Sequence, residues 1–452
     1  MVSKQGNLGD RAVVIGGSIA GLLSARVLSD FFTEILVIDK DVLPSEAQAR
    51  SGVPQSLQPH VLLTKGYQII CQLFPKIASK LQQQGALAID WGKEFYCFSE
   101  TDWLANTPEN SGIASVTCSR PLLETTIRQQ LQENPKVRFL DRQRVTGLLY
   151  EVDKQQVTGV QTKRDRRDQT TPIRADLVVD CSGRNSQAPQ WLRDIGIVPP
   201  PETKINAQLG YATRRYKKPP NYDSDWKVML INHVPPKQTR LGYLAKIENG
   251  EWIATLGGYL QDFPPLNDAG FLDFARSLPN PKFYKAIASA EPTSPIYAYR
   301  ATANRLRHYE KIQIPNGFIT LGDAVCAFCP VYGQGMTVSA LSAMVLQKWL
   351  KQAQKSWFST KLSSIKFQKA LSASNKFPWD FATGQDTRFL SADQPQPLGA
   401  RLLQSYLNRL QAQATLDPEV YLSFLRIAHS LKSPLSFFAP ALMWKVYFSE
   451  KN

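Results

Sequence analysis

The sequence contains few cysteines and few histidines for its length. Among 452 residues there are 6 cysteines and 4 histidines. The cysteines are scattered, mostly in apolar runs, which excludes the dense disulfide framework of small secreted proteins and indicates a reducing, cytoplasmic location. The histidines show no metal-ligand spacing, and the single CxxC pair has no second pair near it. The sequence therefore predicts no metal site, and we interpret that pair as structural, with a redox disulfide as the alternative.

Long apolar runs are also missing. No stretch reaches the roughly 18 apolar residues of a membrane-spanning helix, and the N-terminus lacks the apolar region of a signal peptide. The longest comparable run extends from Pro434 to Phe448 and is interrupted by Lys445. We interpret it as a helix packed on its own protein, with peripheral contact to a membrane surface as the alternative.

Acidic residues are outnumbered by basic ones. The chain has 38 Asp and Glu against 53 Lys and Arg, a formal charge of +15. This excess favours an anionic partner, such as a phosphorylated cofactor, a nucleic acid or an acidic membrane. Zinc-finger spacing, RNA-binding aromatic pairs and a helix-turn-helix pattern are all missing, so nucleic acid is not expected.

The pattern of apolar residues predicts an α/β fold. A strand at Arg11–Ile15, a helix at Ser18–Phe31 and a strand at Glu34–Asp39 form a β-α-β unit, the start of a parallel sheet. Alternating segments punctuated by proline follow between Pro199 and Tyr299 and are typical of an antiparallel sheet, and Asn249-Gly250 is predicted to form one of its hairpin turns. The stretch from Phe95 to Ser115 is rich in polar residues and is predicted to be irregular.

The order of these patterns predicts a discontinuous Rossmann-type domain. We assign residues 1–198 to its first part and residues 301–355 to its last part. An inserted antiparallel β-sheet substrate domain occupies residues 199–300, and a helical C-terminal region occupies residues 356–452. An interrupted nucleotide-binding domain explains why the β-α-β pattern stops and then resumes.

A glycine-rich turn follows the first predicted strand. It has the G-x-G-x-x-G frame with a serine at the middle position, and its predicted cofactor-binding residues are Gly16, Ser18, Ile19, Ala20 and Gly21. The first glycine permits a tight turn and the last lets helix and strand approach closely. Amides at the start of the helix direct their dipole at a pyrophosphate.

An acidic residue ends the second predicted strand. Asp39 lies 18 residues after Gly21, where a carboxylate accepts hydrogen bonds from an adenosine ribose. Its neighbour Lys40 is included in the predicted site. A carboxylate here favours a free 2′-hydroxyl, as in FAD or NAD.

A second motif begins after the predicted strand near residue 320. Its predicted cofactor-binding residues are Gly322, Asp323, Pro330, Gly333, Gly335 and Met336. With the N-terminal unit, this motif resembles the flavoprotein monooxygenases of the para-hydroxybenzoate hydroxylase type. The resemblance implies that Asp323 binds the ribityl chain of FAD. It also implies that the Pro-x-x-Gly-x-Gly turn opens a helix beside the isoalloxazine, where amides can stabilise the negative charge of reduced flavin.

Further segments extend the resemblance over most of the chain. By resemblance, Arg50 approaches the flavin and Arg120, in Ser-Arg-Pro-Leu-Leu-Glu, contacts the cofactor. The segment Phe377–Gly384, followed by Asp386 and Arg388, is similar to a bacterial subgroup that includes polyether and polyene epoxidases. The family often has Asp-Gly where this chain has Ser182 before a glycine. That departure puts direct reduction by NAD(P)H in doubt and makes a separate flavin reductase an alternative electron source.

These features predict an FAD-dependent oxidoreductase, a monooxygenase that hydroxylates or epoxidises a small apolar, aromatic or isoprenoid molecule with molecular oxygen. One alternative is a flavin-dependent dehydrogenase or reductase without oxygen transfer. Another is a non-enzymatic FAD-containing protein that binds a membrane surface. The sequence names no catalytic acid or base. Aromatic residues of the insertion suit either an apolar pocket or the core of a sheet, and they are Tyr211, Tyr216, Trp226, Tyr243, Trp252 and Tyr259.

Overall fold

The computed structural model describes residues 7–100, 102–165, 168–220, 222–355, 362–390 and 398–448. Its strands are β1 Gly9–Ile15, β2 Phe32–Ile38, β3 Leu87–Asp90, β4 Phe95–Ser99, β5 Asp102–Trp103, β6 Ala114–Thr117, β7 Val137–Leu140, β8 Arg144–Glu151, β9 Gln156–Lys163, β10 Thr171–Arg174, β11 Leu177–Asp180, β12 Glu202–Ile205, β13 Gly210–Lys217, β14 Val228–Ile231, β15 Arg240–Lys246, β16 Glu251–Gly258, β17 Glu291–Pro292, β18 Tyr297–Tyr299, β19 Asn304–Arg307, β20 Phe318–Thr320 and β21 Cys326–Ala327. Its α-helices are α1 Ile19–Leu28, α2 Thr64–Leu73, α3 Ile77–Gln83, α4 Arg120–Gln132, α5 Ala188–Asp194, α6 Asp268–Arg276, α7 Lys282–Ile287, α8 Gln334–Lys355, α9 Ser364–Leu390, α10 Leu398–Gln413, α11 Pro418–Ala428 and α12 Pro440–Phe448.

A five-stranded parallel sheet forms the centre of the nucleotide-binding part. Its strand order is β20-β11-β1-β2-β7, and every neighbouring pair is parallel. The apolar runs of β1 and β11 are buried on both faces, as expected for a sheet covered on each side. Helix α1 packs beside α8. Because β1, β11 and β20 are neighbouring parallel strands, their carboxyl ends lie side by side at one edge of the sheet.

A larger, mainly antiparallel sheet lies outside this unit. Its order is β17-β13-β16-β15-β14-β4-β5, and β18 also pairs with β13. The predicted Asn-Gly turn joins β15 to β16, with Asn249 at φ +61° and Gly250 at φ +67°. Both residues adopt the left-handed backbone that such tight turns need. The prediction of an antiparallel sheet in this part of the chain is confirmed.

The prediction of an irregular segment from Phe95 to Ser115 is wrong at both ends. Residues Phe95–Ser99 form β4, which pairs in parallel with β14, so that Phe95 lies opposite Val228. Residues Ala114–Thr117 form β6, which pairs with β3. The partner of β4 lies more than 100 residues away along the chain, so its pairing leaves no local signal in the sequence.

Helices form the C-terminal part, as predicted. Buried side chains of α10, α11 and α12 pack with residues of β4, β14 and β16 in one hydrophobic core. The α/β fold class with its inserted antiparallel sheet is confirmed, while the domain limits stay predictions. Among the helices in the described ranges, none combines the length and the apolar character needed to cross a bilayer.

Candidate cofactor site and adjoining pocket

The turn between β1 and α1 requires its glycines. Gly16 has φ +99°, and a Cβ there would lie 2.7 Å from the carbonyl oxygen of Cys181. A Cβ on Gly21 would lie only 1.8 Å from the carbonyl oxygen of Gly16. A side chain at either position would separate the helix from the sheet. The start of α1 is therefore held close to the carboxyl ends of β1 and β11, where open α/β sheets bind their ligands.

Ser18 lies at the N-cap position of α1, and its side chain connects this turn to α4. Its Oγ donates a hydrogen bond to Glu124 Oε2 (2.6 Å) and accepts one from Arg120 Nη2 (2.8 Å). Arg120 also contacts Glu124 through Nε and Nη2. Within the described residues, Arg120 Nη1 has no hydrogen-bond acceptor. A guanidinium donor thus stands unused beside the start of α1, where a phosphate would be bound.

Arg50 lies at the other end of the same turn, among three carboxylates. Its guanidinium binds Asp39 (3.0 Å), Asp41 (3.1 Å) and Glu124 (2.8 Å). Burial lowers the pKa of Arg50, but the charges of Glu124 and Asp39 outweigh burial and raise it. The resemblance implies that Arg50 approaches the flavin, and these contacts place it beside Asp39, the residue predicted to bind ribose.

Asp39 keeps one acceptor position open. Its Oδ2 accepts from the Gly17 amide (2.7 Å) and from Arg50, and its Oδ1 accepts from the Asp41 amide (2.9 Å). A carboxylate has about four lone-pair positions, so one remains on Oδ1 for a hydroxyl donor. This geometry fits a ribose hydroxyl at the end of β2.

The second predicted motif comes to the same edge of the sheet. Gly322 follows β20 with φ +64°, and a Cβ there would lie 2.8 Å from the Cβ of Ala20 on α1. Asp323 comes next and is half-buried. Its carboxylate has no hydrogen-bond donor among the residues that the structure describes. Burial raises the pKa of Asp323, although the guanidiniums of Arg184 and Arg120 act to lower it.

The start of α8 faces this carboxylate. A Cβ on Gly335 would lie 3.9 Å from Asp323 Oδ1, so the first turn of α8 and Asp323 adjoin. Gly333 has φ +63° just before the helix. Nearby, burial and the positive charge of Arg120 lower the pKa of His60 to about 3, so its ring is neutral at pH 7. The first turn of α8 and a carboxylate without a hydrogen-bond donor in the described ranges therefore adjoin at this edge of the sheet.

The remaining predicted residues have different environments. Ile19 and Met336 are buried, and Ala20 and Pro330 are half-buried. Lys40 is exposed and makes no hydrogen bond with any residue in the described ranges. The structure thus brings both glycine motifs, Asp39, Arg120 and Asp323 to one edge of the parallel sheet, and it leaves Lys40 in solvent.

Ser182 caps the end of β11. Its amide (2.9 Å) and its Oγ both donate to Asp180 Oδ1, and Ser186 Oγ donates to the other carboxylate oxygen. Burial raises the pKa of Asp180. The serine that departs from the family pattern is therefore occupied with its own strand.

A cluster of polar side chains adjoins the turn that opens α8. Asp386 of α9 is 1% exposed and accepts hydrogen bonds from Tyr332 Oη (2.6 Å), Tyr259 Oη (3.1 Å) and Asn304 Nδ2 (2.6 Å). Tyr332 lies in the turn before α8, and Tyr259 follows β16. Four distant segments thus supply this cluster, which we call the tyrosine–aspartate cluster: Tyr259, Asn304, Tyr332 and Asp386.

The orientation of Asn304 determines what residue 386 must be. The Cys329 amide donates to Asn304 Oδ1 (2.7 Å), so the amide nitrogen of Asn304 must face Asp386. Residue 386 consequently needs an acceptor on that side and a second one toward the tyrosines, which a carboxyl group supplies. Burial raises the pKa of Asp386, since no cation contacts it in the described part of the chain.

Aromatic rings surround the tyrosine–aspartate cluster. Tyr259 stacks on Phe389 with ring centroids 4.1 Å apart, and His233 lies 4.8 Å from Tyr259. Burial lowers the pKa of His233 to about 3, and its Nδ1 is buried without a partner in the described ranges. No role was predicted for His233. Tyr211 and Tyr259 belong to the same buried hydrophobic cluster as Phe389, while Tyr216 and Trp252 belong to the core of the antiparallel sheet.

We expect Asp386→Asn to lower the free energy of unfolding by about 1–3 kcal/mol, because its single amide oxygen cannot accept from Asn304 and from the tyrosine hydroxyls at once. Urea unfolding measures the change. Asp380→Asn on the same helix is the matched control, since Asp380 forms an exposed pair with Lys376 and should cost at most about 0.5 kcal/mol. Equal stability of the two variants would contradict the assigned hydrogen bonds.

Comparison with known proteins supports the fold. No protein-family profile matches the chain. Protein Rv3254 of Mycobacterium tuberculosis is 29% identical over 96% of each chain. The flavin-dependent brominase Bmp2 is 14% identical, with TM-score 0.64 over 96% of this chain and 97% of its own. PqsL, a probable FAD-dependent monooxygenase from Pseudomonas aeruginosa, is 14% identical, with TM-score 0.63 over 84% of this chain and 98% of its own. The chain therefore has the fold of flavin-dependent enzymes.

Proposed function

We propose that this chain binds FAD at the carboxyl edge of its parallel sheet and uses it to transfer oxygen to a small apolar or aromatic molecule. The observation that carries the proposal is Asp323, a carboxylate without a donor in the described ranges that stands between the starts of α1 and α8. A partly buried carboxylate without a partner costs free energy unless a ligand supplies a donor. The ribityl hydroxyls of FAD are such donors.

The other open positions fit the remaining parts of FAD. Arg120 Nη1 and the amides at the start of α1 suit the pyrophosphate. The free lone pair of Asp39 suits the adenosine ribose. Amides of the first turn of α8 suit negative charge on a reduced isoalloxazine. When bound, FAD would supply two-electron transfer and the reaction with oxygen, which protein side chains cannot provide.

The tyrosine–aspartate cluster supplies the substrate side of the proposed site. Tyr332 is half-buried and precedes the start of α8, so it is the member of the tyrosine–aspartate cluster that a bound molecule can reach. Asp386 orients that hydroxyl and can hold a proton, because burial raises its pKa. Tyr259, His233 and Phe389 exclude water and offer an apolar surface. These properties favour an aromatic or isoprenoid substrate and an epoxidase-like reaction or hydroxylation.

Electrons can reach FAD by two routes under this proposal, directly from NAD(P)H or from a separate flavin reductase. We favour the reductase, because Ser182 replaces the aspartate that the family often carries and binds Asp180 instead. Anaerobic mixing with NADPH or NADH separates the routes. Rapid bleaching of the flavin would show direct reduction.

The proposed reaction is tested by mixing photochemically reduced protein with oxygen in a stopped-flow spectrometer. Transfer of oxygen predicts an absorbance transient that precedes the oxidised spectrum and decays faster with a suitable polyene or phenol. Direct return to oxidised flavin under every condition would favour a dehydrogenase or reductase. Faster decay with bromide and a brominated product would favour halogenation, although the chain has no Trp-x-Trp sequence like that of tryptophan halogenases.

We also propose a cytoplasmic location. All six cysteines are unpaired, including both members of the CxxC pair. Burial raises the pKa of the thiols of Cys326 and Cys329 well above the ordinary value, so neither is a reactive thiolate.

A further inference from the structure

The C-terminal helices expose an unusual number of large apolar side chains. Trp444 and Phe448 are 64% and 65% exposed, and Leu402 is 63% exposed. Soluble proteins rarely leave so many large apolar groups together in water, and such patches mark interaction sites. We call this set the C-terminal apolar patch: Leu398, Leu402, Leu403, Leu435, Phe438, Met443, Trp444, Tyr447 and Phe448.

Contacts between rings join three elements into one surface. Tyr406 of α10 stacks on Phe438 (5.7 Å between centroids) and on Tyr447 of α12 (5.9 Å). Tyr447 contacts Phe448, and Phe448 contacts Trp444 at 4.6 Å. Leu402 lies one helical turn before Tyr406 on α10. The aromatic members of the patch therefore form one connected group rather than a scatter of single residues.

The patch is not needed to fix the helices to the rest of the protein. Leu410 of α10 and Leu442 and Val446 of α12 are buried in a core shared with Val228 and Ile253 of the antiparallel sheet. The interpretation of the run from 434 to 448 as a helix packed on its own protein therefore fits one of its faces. The other face is left uncovered by the residues that the structure describes.

Charge indicates which partner covers the patch. Neither α10 nor α12 contains an acidic residue, and the exposed Arg401, Arg409 and Lys432 border the patch. The guanidinium of Arg409 lies 5.3 Å from the ring centroid of Tyr447. Exposed tryptophan, tyrosine and phenylalanine beside basic side chains are typical of helices that lie in a membrane interface.

Nearby acidic groups cancel only part of this charge. Asp417 and Glu419 both pair with Lys445, at 2.9 and 3.2 Å. The whole chain carries a formal charge of +15, so two copies joined through the patch would bring like charges together. We propose that the C-terminal apolar patch docks the protein on an acidic lipid surface.

Vesicle flotation tests the proposal with the full-length protein. Wild-type protein should float at low salt with vesicles of phosphatidylglycerol and phosphatidylcholine in equal parts. Binding should fall with pure phosphatidylcholine and with rising salt, because acidic headgroups attract the basic border. The double variant Trp444→Glu, Phe448→Glu should bind at least about tenfold more weakly, since it replaces two rings that would enter the membrane interface with two negative charges.

The matched control is the double variant Val152→Glu, Leu266→Glu. These side chains are 74% and 50% exposed but lie outside the patch. The control variant should float like wild type, and both double variants should keep the melting temperature and flavin content of wild type.

Failure of wild type to float with acidic vesicles, or unchanged flotation of the patch variant, would overturn the proposal. So would a wild-type dimer that the patch variant dissociates, as light scattering would show. Flavin content is measured separately, so failure here leaves the proposed function intact.

Discussion

Asp323→Ala should weaken FAD binding by about 10–100-fold while leaving the apoprotein at least as stable as wild type. The loss follows from one charge-assisted hydrogen bond to the cofactor, worth about 1.5–3 kcal/mol. The stability follows because Asp323 has no hydrogen-bond donor in the described part of the protein and its burial is unfavourable. Replacing a residue that only supports the fold would lower the stability of the apoprotein together with its affinity for FAD.

The pH dependence of apoprotein stability has a definite sign. The pKa of Asp323 is raised in the folded protein, so ionisation is harder in the folded state than in the unfolded state. The cost of burying it is absent at low pH and grows as pH rises from the unfolded pKa toward the folded pKa. The alanine variant should therefore gain stability over wild type at neutral pH and lose that advantage in acid.

Titration of apoprotein with FAD, followed by fluorescence quenching, and urea unfolding of the apoprotein measure the two effects. Asp380→Ala is the control, because Asp380 is exposed on α9 and pairs only with Lys376. It should leave FAD affinity unchanged. Unaltered affinity in folded Asp323→Ala protein would remove the observation on which the cofactor assignment rests.

Glu124→Gln should lower the free energy of unfolding by about 3–5 kcal/mol, the range found when one partner of a buried ion pair is removed. The side chains of Glu124, Arg50 and Arg120 are only 7–8% exposed. Arg50 would keep Asp39 and Asp41 as partners. Arg120 would keep its hydrogen bond to Ser18 but would lose the one carboxylate that it contacts directly among the described residues.

The effect of Glu124→Gln should disappear in acid. Burial raises the pKa of Glu124, but Arg120 and Arg50 outweigh burial and lower it. A carboxylate with a lowered folded pKa contributes stability above its unfolded pKa and loses it as pH falls toward the folded value. Wild type and variant should therefore differ strongly at neutral pH and converge below the ordinary range of glutamate.

Urea unfolding at neutral and acidic pH measures this difference. Glu133→Gln is the matched control, because Glu133 directly follows α4, the helix that contains Glu124. Glu133 is 58% exposed and pairs with Lys80, so its removal should cost no more than about 1 kcal/mol. A neutral-pH loss for Glu124→Gln as small as that of the control would contradict the buried network.

Local patterns made the glycine turns and the parallel sheet predictable. Gly21 is required by its contact with Gly16 within one β-α-β unit, and Gly16 is required by its positive φ. Apolar runs mark strands that are buried on both faces. The turn at Asn249 was predictable for the same reason. In each case a few neighbouring residues determine the structure, and no distant partner is needed.

Pairings across the chain could not be predicted. Arg50 meets Glu124 across 74 residues, and Tyr259 meets Asp386 across 127 residues. Both acids, Glu124 and Asp386, lie in segments that resemble family motifs, but their local sequence does not indicate which side chains they contact. The strand β4 was missed because its partner β14 lies far along the chain. Tyr259 was predicted to lie in a pocket or in the core, and its ring is buried in a hydrophobic cluster while its hydroxyl contacts Asp386.

The most direct test of FAD binding is to identify and quantify the chromophore of the purified protein. Denaturation and chromatography of the released flavin give its identity and its ratio to protein. We expect FAD in a ratio approaching one per chain, or restored to that ratio when apoprotein is mixed with FAD. A protein that carries no flavin, and that neither quenches nor retains added FAD, would contradict the cofactor site described for the edge of the parallel sheet.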